Sequence, residues 1–272
     1  MRVIESDFFN DALRYIGYAC GYGWHERNAG NISLRLNNAE IESIFDDLKF
    51  VNAWVKLPEV ITDMANEYVL TTVSGTYFID IHNDPQTKFC ICQISEQGDA
   101  YRVVWGGLKP TSELTGHLLS LEELKKRKSG RAVYHCHPSN VVALSYILKN
   151  DDETISNALW ESETECAFVF PDGIGVVGFY VPGSYELAKA TADKMKRYNA
   201  VLWSFHGIFA SGDSIATAFG LVSAIEKAAD IKLKVLSSGL YVKNTITPEQ
   251  LKKTATAFGF ELNDFNEKTS ND

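Results

Sequence analysis

His135 and His137 stand on either side of Cys136 at the end of an apolar run, RAVYHCH, just before the polar Pro138-Ser139-Asn140. On an extended strand, residues two apart project to the same side. Both imidazoles can therefore reach one metal ion while Cys136 turns the other way, into the core. His206, in WSFHGIF, again ends a strand-like run and sits beside a glycine. It supplies a third nitrogen if the fold returns it to the first two. Three neutral imidazoles leave a zinc-like ion with a vacant coordination position, which catalysis needs and a closed structural site lacks. A pair of this type by itself, or His206 by itself, reads better as packing; the metal reading rests on all three. The other histidines carry less. His25 sits in a polar turn and His82 in the surface-like IHNDP. His117 lies one helical turn after Glu113 and shares its face, as packing or as a partner of the site.

Glu113 follows Pro110-Thr111-Ser112 in the first turn of an expected helix, where free amides and hydroxyls make an anion site. A plain helix-start glutamate is the simpler alternative. Ser74-Gly75 and Asn28-Ala29-Gly30-Asn31 are small polar turns whose amides can approach a phosphate, although turns of this kind commonly do nothing more than turn. No GxGxxG precedes a helix and no GxxxxGK[ST] occurs, so nucleotide binding lacks support. Glu161, Glu163 and Glu165 crowd into WESETEC, for the most part a solvated face.

Several elements must position these groups. Helical spacing of Phe8, Phe9, Leu13, Ile16 and Cys20 predicts a helix over 5–22, and Ile32, Leu34 and Leu36 alternate as a half-buried strand. Residues 37–66 read as an irregular acidic excursion. YVLTTVSGTYFIDI reads as strand, Ser-Gly turn, strand, and FCICQISEQGDAYRVVW as a hairpin around Gln97-Gly98-Asp99. TSELTGHLLSLEELKKRK predicts a helix capped by Thr111 or Ser112, with acidic residues early and basic ones late. RAVYHCH is a strand, and SNVVALSYILK a helix capped by Ser139 or Asn140. CAFVFP and GVVGFYV read as short strands. A helix over 183–198 follows, then AVLWSFHGIFA as one strand running into a turn at Ser211-Gly212. Helices over 213–237 and 248–258 complete the chain. The expectation is an α/β fold, one domain over 1–272, with a predominantly antiparallel central sheet flanked by helices.

The 272 residues are 45% hydrophobic and include 15 Phe, 12 Tyr and 5 Trp, enough for a folded core and against disorder. A net charge of −9 argues against nucleic acid as a partner. No apolar run approaches the ~18 residues of a membrane span. The acidic N-terminus lacks the basic and apolar regions of a signal peptide. The five cysteines (Cys20, Cys90, Cys92, Cys136, Cys166) are odd in number and lie in apolar runs, which suits reduced thiols and a cytoplasmic location.

Taken together, WHERNAGNISLRL, VSGTYF, PTSELTGHL, YHCHPSN, LWESETEC, FPDGIG and LWSFHGIFASG resemble the class II aldolase/adducin family, over about Gly21 to Gly239. Each piece is unspecific; their order is not. The resemblance implies a mixed α/β fold and a homotetramer with active sites at subunit interfaces. It implies one zinc ion per subunit, held by His135, His137 and His206. It also implies a small phosphorylated ketose as substrate, its phosphate held by Asn28, Asn31, Ser74, Gly75, Thr111 and Ser112, with Glu113 as catalytic base and acid. Glu165 matches a carboxylate that reaches the aldehyde end from a neighbouring subunit, and the extra acidic Glu163 leaves the choice among the three glutamates open. The implied reaction is reversible carbon–carbon cleavage of a ketose 1-phosphate to dihydroxyacetone phosphate and an aldehyde. A Schiff-base route would need a desolvated lysine, and the lysines here lie in solvated helical runs such as KKRK. The alternatives are another aldolase or a pentulose-phosphate epimerase of the family, a non-catalytic adducin-like interaction module, and a zinc hydrolase.

Overall fold

The computed structural model describes residues 1–265. Among these, runs alternating with period two form β1 (Asn31–Arg35), β2 (Val55–Lys56), β3 (Tyr68–Thr72), β4 (Phe89–Ile94), β5 (Ala100–Gly106), β6 (Ala132–Cys136), β7 (Gly175–Val177), β8 (Ala200–Trp203) and β9 (Gly207–Gly212). They join in one sheet of order β2-β5-β4-β3-β1-β6-β9-β8-β7, antiparallel throughout except for the β7–β8 pair at one edge. The helices are α1 (Asp7–Gly21), α2 (Asn38–Ile44), α3 (Leu114–Arg127), α4 (Ser139–Ile147), α5 (Asp152–Trp160), α6 (Cys166–Val169), α7 (Tyr185–Met195), α8 (Ile215–Ser237) and α9 (Pro248–Phe258).

Strand alternation sorts the core into two layers. Ile32, Leu70, Ile91, Tyr134, Cys136, Ile208 and Ala210 pack beneath α1, α4, α5 and α8. Val69, Cys90, Cys92, Val133, Val201, Trp203 and Phe209 pack beneath α3 and α7. Each large side chain so buried stabilises the fold by about 1.5–3 kcal/mol before its entropy cost. Cys136 lies in the first layer, opposite the face that carries His135, as the period of two requires. All five cysteines are free thiols. Among the described residues, no helix is long and apolar enough to cross a membrane.

The mixed α/β architecture and the antiparallel sheet match the reading above, while several elements differ. AVLWSFHGIFA is a hairpin of two strands, β8 and β9, because Phe205 takes a left-handed conformation (φ 66°) and reverses the chain. After the Ser74-Gly75 turn the chain enters a short 3-10 turn at Phe78–Asp80 in place of a strand. CAFVFP contains the helix α6, whose Cys166 and Ala167 are buried while Trp160 Nε1 donates to the Phe170 carbonyl at 3.1 Å. The excursion over 37–66 holds α2, capped by Asn37, and the short β2. α5, capped by Asp151, is a helix that the sequence pattern does not predict. α3 begins at Leu114, one residue after Glu113, and neither Thr111 nor Ser112 occupies the cap position.

Candidate metal centre and phosphate pocket

β6 is sandwiched between β1 and β9, and its end is where the chemistry collects. His135 is the penultimate residue of β6. Its Nδ1 donates to the carbonyl of Ile208 on β9 at 2.9 Å, so the proton sits on Nδ1 and Nε2 is bare. His137 lies just past the strand end, where its amide donates to Trp24. Its Nδ1 donates to Glu26 Oε1 at 2.6 Å, which again leaves Nε2 bare. His206 occupies the turn of the β8–β9 hairpin. Its amide donates to the Trp203 carbonyl, and Phe205 N donates to Ser145 Oγ at 3.0 Å, anchoring the turn to α4. The next residue must be glycine: a Cβ on Gly207 would lie 2.6 Å from the Cys136 carbonyl and 2.7 Å from the His137 ring.

One ring nitrogen from each of His135, His137 and His206 lies within 4.8 Å of the others. The two bare Nε2 atoms of His135 and His137 face each other at 3.1 Å. Two ring nitrogens held so close need a cation between them, either a shared proton or a metal ion. On a tetrahedral zinc with bonds of ~2.0–2.1 Å, ligand nitrogens stand roughly 3.4 Å apart. The donor set therefore fits such an ion, with tautomers fixed by a carbonyl and a carboxylate behind the ligands. Burial first, and then the neighbouring rings, hold the His206 pKa down at about 4 and that of His135 well below the ordinary range, so neutral imidazoles are on offer.

Glu113 stands in the turn before α3. Asn31 Nδ2 donates to its Oε2 at 2.9 Å, and His135 Nε2 lies 3.8 Å from the same oxygen. Burial raises the Glu113 pKa, opposed by the Asn31 hydrogen bond. Asn31 is itself held by His117, whose Nε2 bonds its Oδ1 while Nδ1 faces Ser33 Oγ at 2.8 Å. These groups open on a cavity of about 200 Å³ lined by the turns 28–31, 72–76 and 111–113 together with the three histidines.

Ten of the eleven site residues expected from sequence thus line one cavity: Asn28, Asn31, Ser74, Gly75, Thr111, Ser112, Glu113, His135, His137 and His206. Glu165, ahead of α6, is not among the lining residues. Sequence reasoning passed over Glu26 and left His117 undecided between packing and a supporting role. Glu26 follows His25 in the same polar turn, and only the pairing of β1 with β6 brings that turn to His137.

Residues 13–233 match the class II aldolase and adducin N-terminal domain. The chain belongs to the class II aldolase/adducin family. It is 38% identical over 254 residues to the rhamnulose-1-phosphate aldolase of Klebsiella pneumoniae (strain 342), covering 92% of each chain. It is 40% identical over 262 residues to the rhamnulose-1-phosphate aldolase of Escherichia coli O1:K1 / APEC, covering 94% of this chain and 95% of the relative. Among solved structures, a sugar-phosphate aldolase from Thermotoga maritima superposes with a TM-score of 0.72 at 31% identity, over 86% of this chain and 97% of the other.

Proposed function

We propose that this chain is a single-domain class II aldolase that reversibly cleaves L-rhamnulose 1-phosphate to dihydroxyacetone phosphate and L-lactaldehyde, in the cytoplasm, as a homotetramer. The observation that carries the reading is the meeting, in one cavity, of three imidazoles, a buried carboxylate and three small polar turns. The extent and identity of the likeness to rhamnulose-1-phosphate aldolases support the choice of sugar.

His135, His137 and His206 would hold a zinc ion, one per subunit. A bound zinc supplies Lewis-acid stabilisation of the charge that develops on the ketose oxygens, worth several kcal/mol. The chain's own groups do the rest. Asn28, Ser74, Gly75, Thr111 and Ser112 bind the phosphate and fix the ketose end of the substrate. Asn31 and His117 fix the direction of the Glu113 carboxylate. In the synthetic direction Glu113 removes the proton from the hydroxyl-bearing carbon of dihydroxyacetone phosphate. In cleavage it returns that proton once the carbon–carbon bond has broken, a contribution of ~10²–10⁴-fold. Glu165 of a neighbouring subunit serves the aldehyde end.

A panel of ketose phosphates, assayed for release of dihydroxyacetone phosphate, tests the reading. Rhamnulose 1-phosphate is expected to be cleaved fastest. Preferred cleavage of fuculose 1-phosphate, or epimerisation of a pentulose phosphate without cleavage, would move the enzyme elsewhere within the family. Inactivity with no bound metal would make it a non-catalytic member.

A further inference from the structure

His25 belongs to a polar turn in the sequence, yet it is buried and wedged beneath the turn 28–31. Its Nδ1 lies 3.0 Å from the carbonyl oxygen of Ala29 and its Nε2 lies 2.6 Å from the hydroxyl of Tyr134, a fully buried residue of β6. A carbonyl only accepts, so Nδ1 must carry the proton. The bare Nε2 then accepts from the Tyr134 hydroxyl, and the ring is locked in one tautomer and one orientation. Phe78, just past the Ser74-Gly75 turn, packs edge-on at 4.5 Å from the imidazole. One ring thus touches the element after the second polar turn and supports the first.

The consequence follows from the planarity of the peptide bond. In a trans peptide the carbonyl and the next N–H point in opposite directions. By drawing the Ala29 carbonyl inward, His25 turns the Gly30 N–H outward, away from the imidazole. Gly30 lines the cavity between Asn28 and Asn31, its φ is +81°, and a Cβ there would lie 2.4 Å from His25 Nδ1. Glycine and histidine are therefore fitted to each other.

We infer that His25, buttressed by Tyr134, is a positioning residue for substrate phosphate: it sets the Ala29–Gly30 peptide so that the Gly30 amide faces the anion. The inference rests on the phosphate-pocket reading above.

Titration calorimetry with inorganic phosphate, alongside KM and kcat for the phosphorylated ketose, tests it on the metal-loaded enzyme. His25→Ala is expected to weaken phosphate binding and raise KM by about tenfold, the worth of one lost hydrogen bond, with kcat and metal content close to wild type. His25→Asn places an amide N–H near the former Nδ1 and is expected to restore most of the affinity; His25→Gln reaches too far and is not. Tyr134→Phe, which removes only the hydroxyl that bonds His25 Nε2, is expected to give a smaller loss in the same direction, and it serves if His25→Ala fails to fold. Unchanged phosphate affinity in His25→Ala or, should that variant not fold, in Tyr134→Phe overturns the inference. So does equal rescue by Asn and Gln, or loss of metal in parallel with phosphate. If the wild-type enzyme binds no phosphate, the pocket reading itself falls; if it binds and His25→Ala binds equally, only the role of His25 falls.

Discussion

Each metal-facing nitrogen of His135 and His137 is bare because the opposite nitrogen has a committed acceptor, Ile208 O in one case and Glu26 in the other. His206 comes from a hairpin turn, so its removal leaves the other two in place but without the third donor. His206→Ala is expected to lose bound metal and turnover together. Glu113→Gln keeps the shape and the Asn31 contact while removing the base, so metal content should stay at wild type and kcat should fall by ~10²–10⁴-fold. Elemental analysis paired with steady-state assays separates the two variants; substantial turnover in Glu113→Gln would strip that residue of its role. His117 adds a pH signature. Burial pushes its pKa from an ordinary 6.5 down to about 3. Between those values the unfolded chain binds a proton that the folded chain refuses, so stability is full above about pH 6.5 and declines as pH falls toward 3. The thermal midpoint of metal-free wild type should therefore drop more steeply from pH 6.5 to 4 than that of His117→Asn. Parallel curves would show that His117 is not the buried neutral group described.

At the scale of elements, the site depends on how strand ends are tied to helices. His137 leads through Pro138 directly into α4, and the cap of α4 is not local. The Glu226 carboxylate, from α8, accepts from the amides of Asn140 and Val141 at 3.0 and 2.9 Å and from Asn140 Nδ2 at 2.8 Å. The sequence reading gave this cap to Ser139 or Asn140, because nothing near the helix start reveals a partner so far along the chain. Glu226→Ala leaves the buried Val141 amide and the half-buried Asn140 amide without an acceptor and is expected to cost ~1–3 kcal/mol in urea unfolding. It should also weaken metal binding by loosening His137. Glu226→Gln, which keeps one acceptor oxygen, should fall between. Elements written in local pattern were legible: β1 from the Ile32/Leu34 alternation, the Gly98 hairpin from its turn residues, α8 from its length and apolar stripe. The shared side of His135 and His137 was legible for the same reason, since a period of two needs no tertiary information. The β8–β9 hairpin was not, because its reversal rests on a left-handed Phe205 and no turn-forming pair announces it. α6 was misread because Phe168 and Val169 resemble a strand over so short a run.

Glu165 raises its question at the scale of the whole molecule. One chain brings the histidines, Glu113 and the polar turns to one cavity without it. Beside His206, Phe205 and Tyr146 are 43% and 69% exposed with ring centroids 4.8 Å apart. Exposed aromatic rings next to a site residue suit cover by a second copy of the chain, and closed symmetric assemblies repeat one interface at every site. Complementation distinguishes a shared site from a self-contained one. His206→Ala and Glu165→Ala are each expected to be nearly inactive alone. Unfolded together in equal amounts and refolded, they form mixed oligomers in which about one quarter of the sites pair an intact histidine set with an intact Glu165 from the neighbour. Activity should then rise toward that fraction of wild type, while either variant refolded by itself stays inactive. Were Glu165 to act within its own chain, no mixture would restore activity, because every chain would still carry one defect in its own site. Full activity of Glu165→Ala alone would instead remove Glu165 from the reaction.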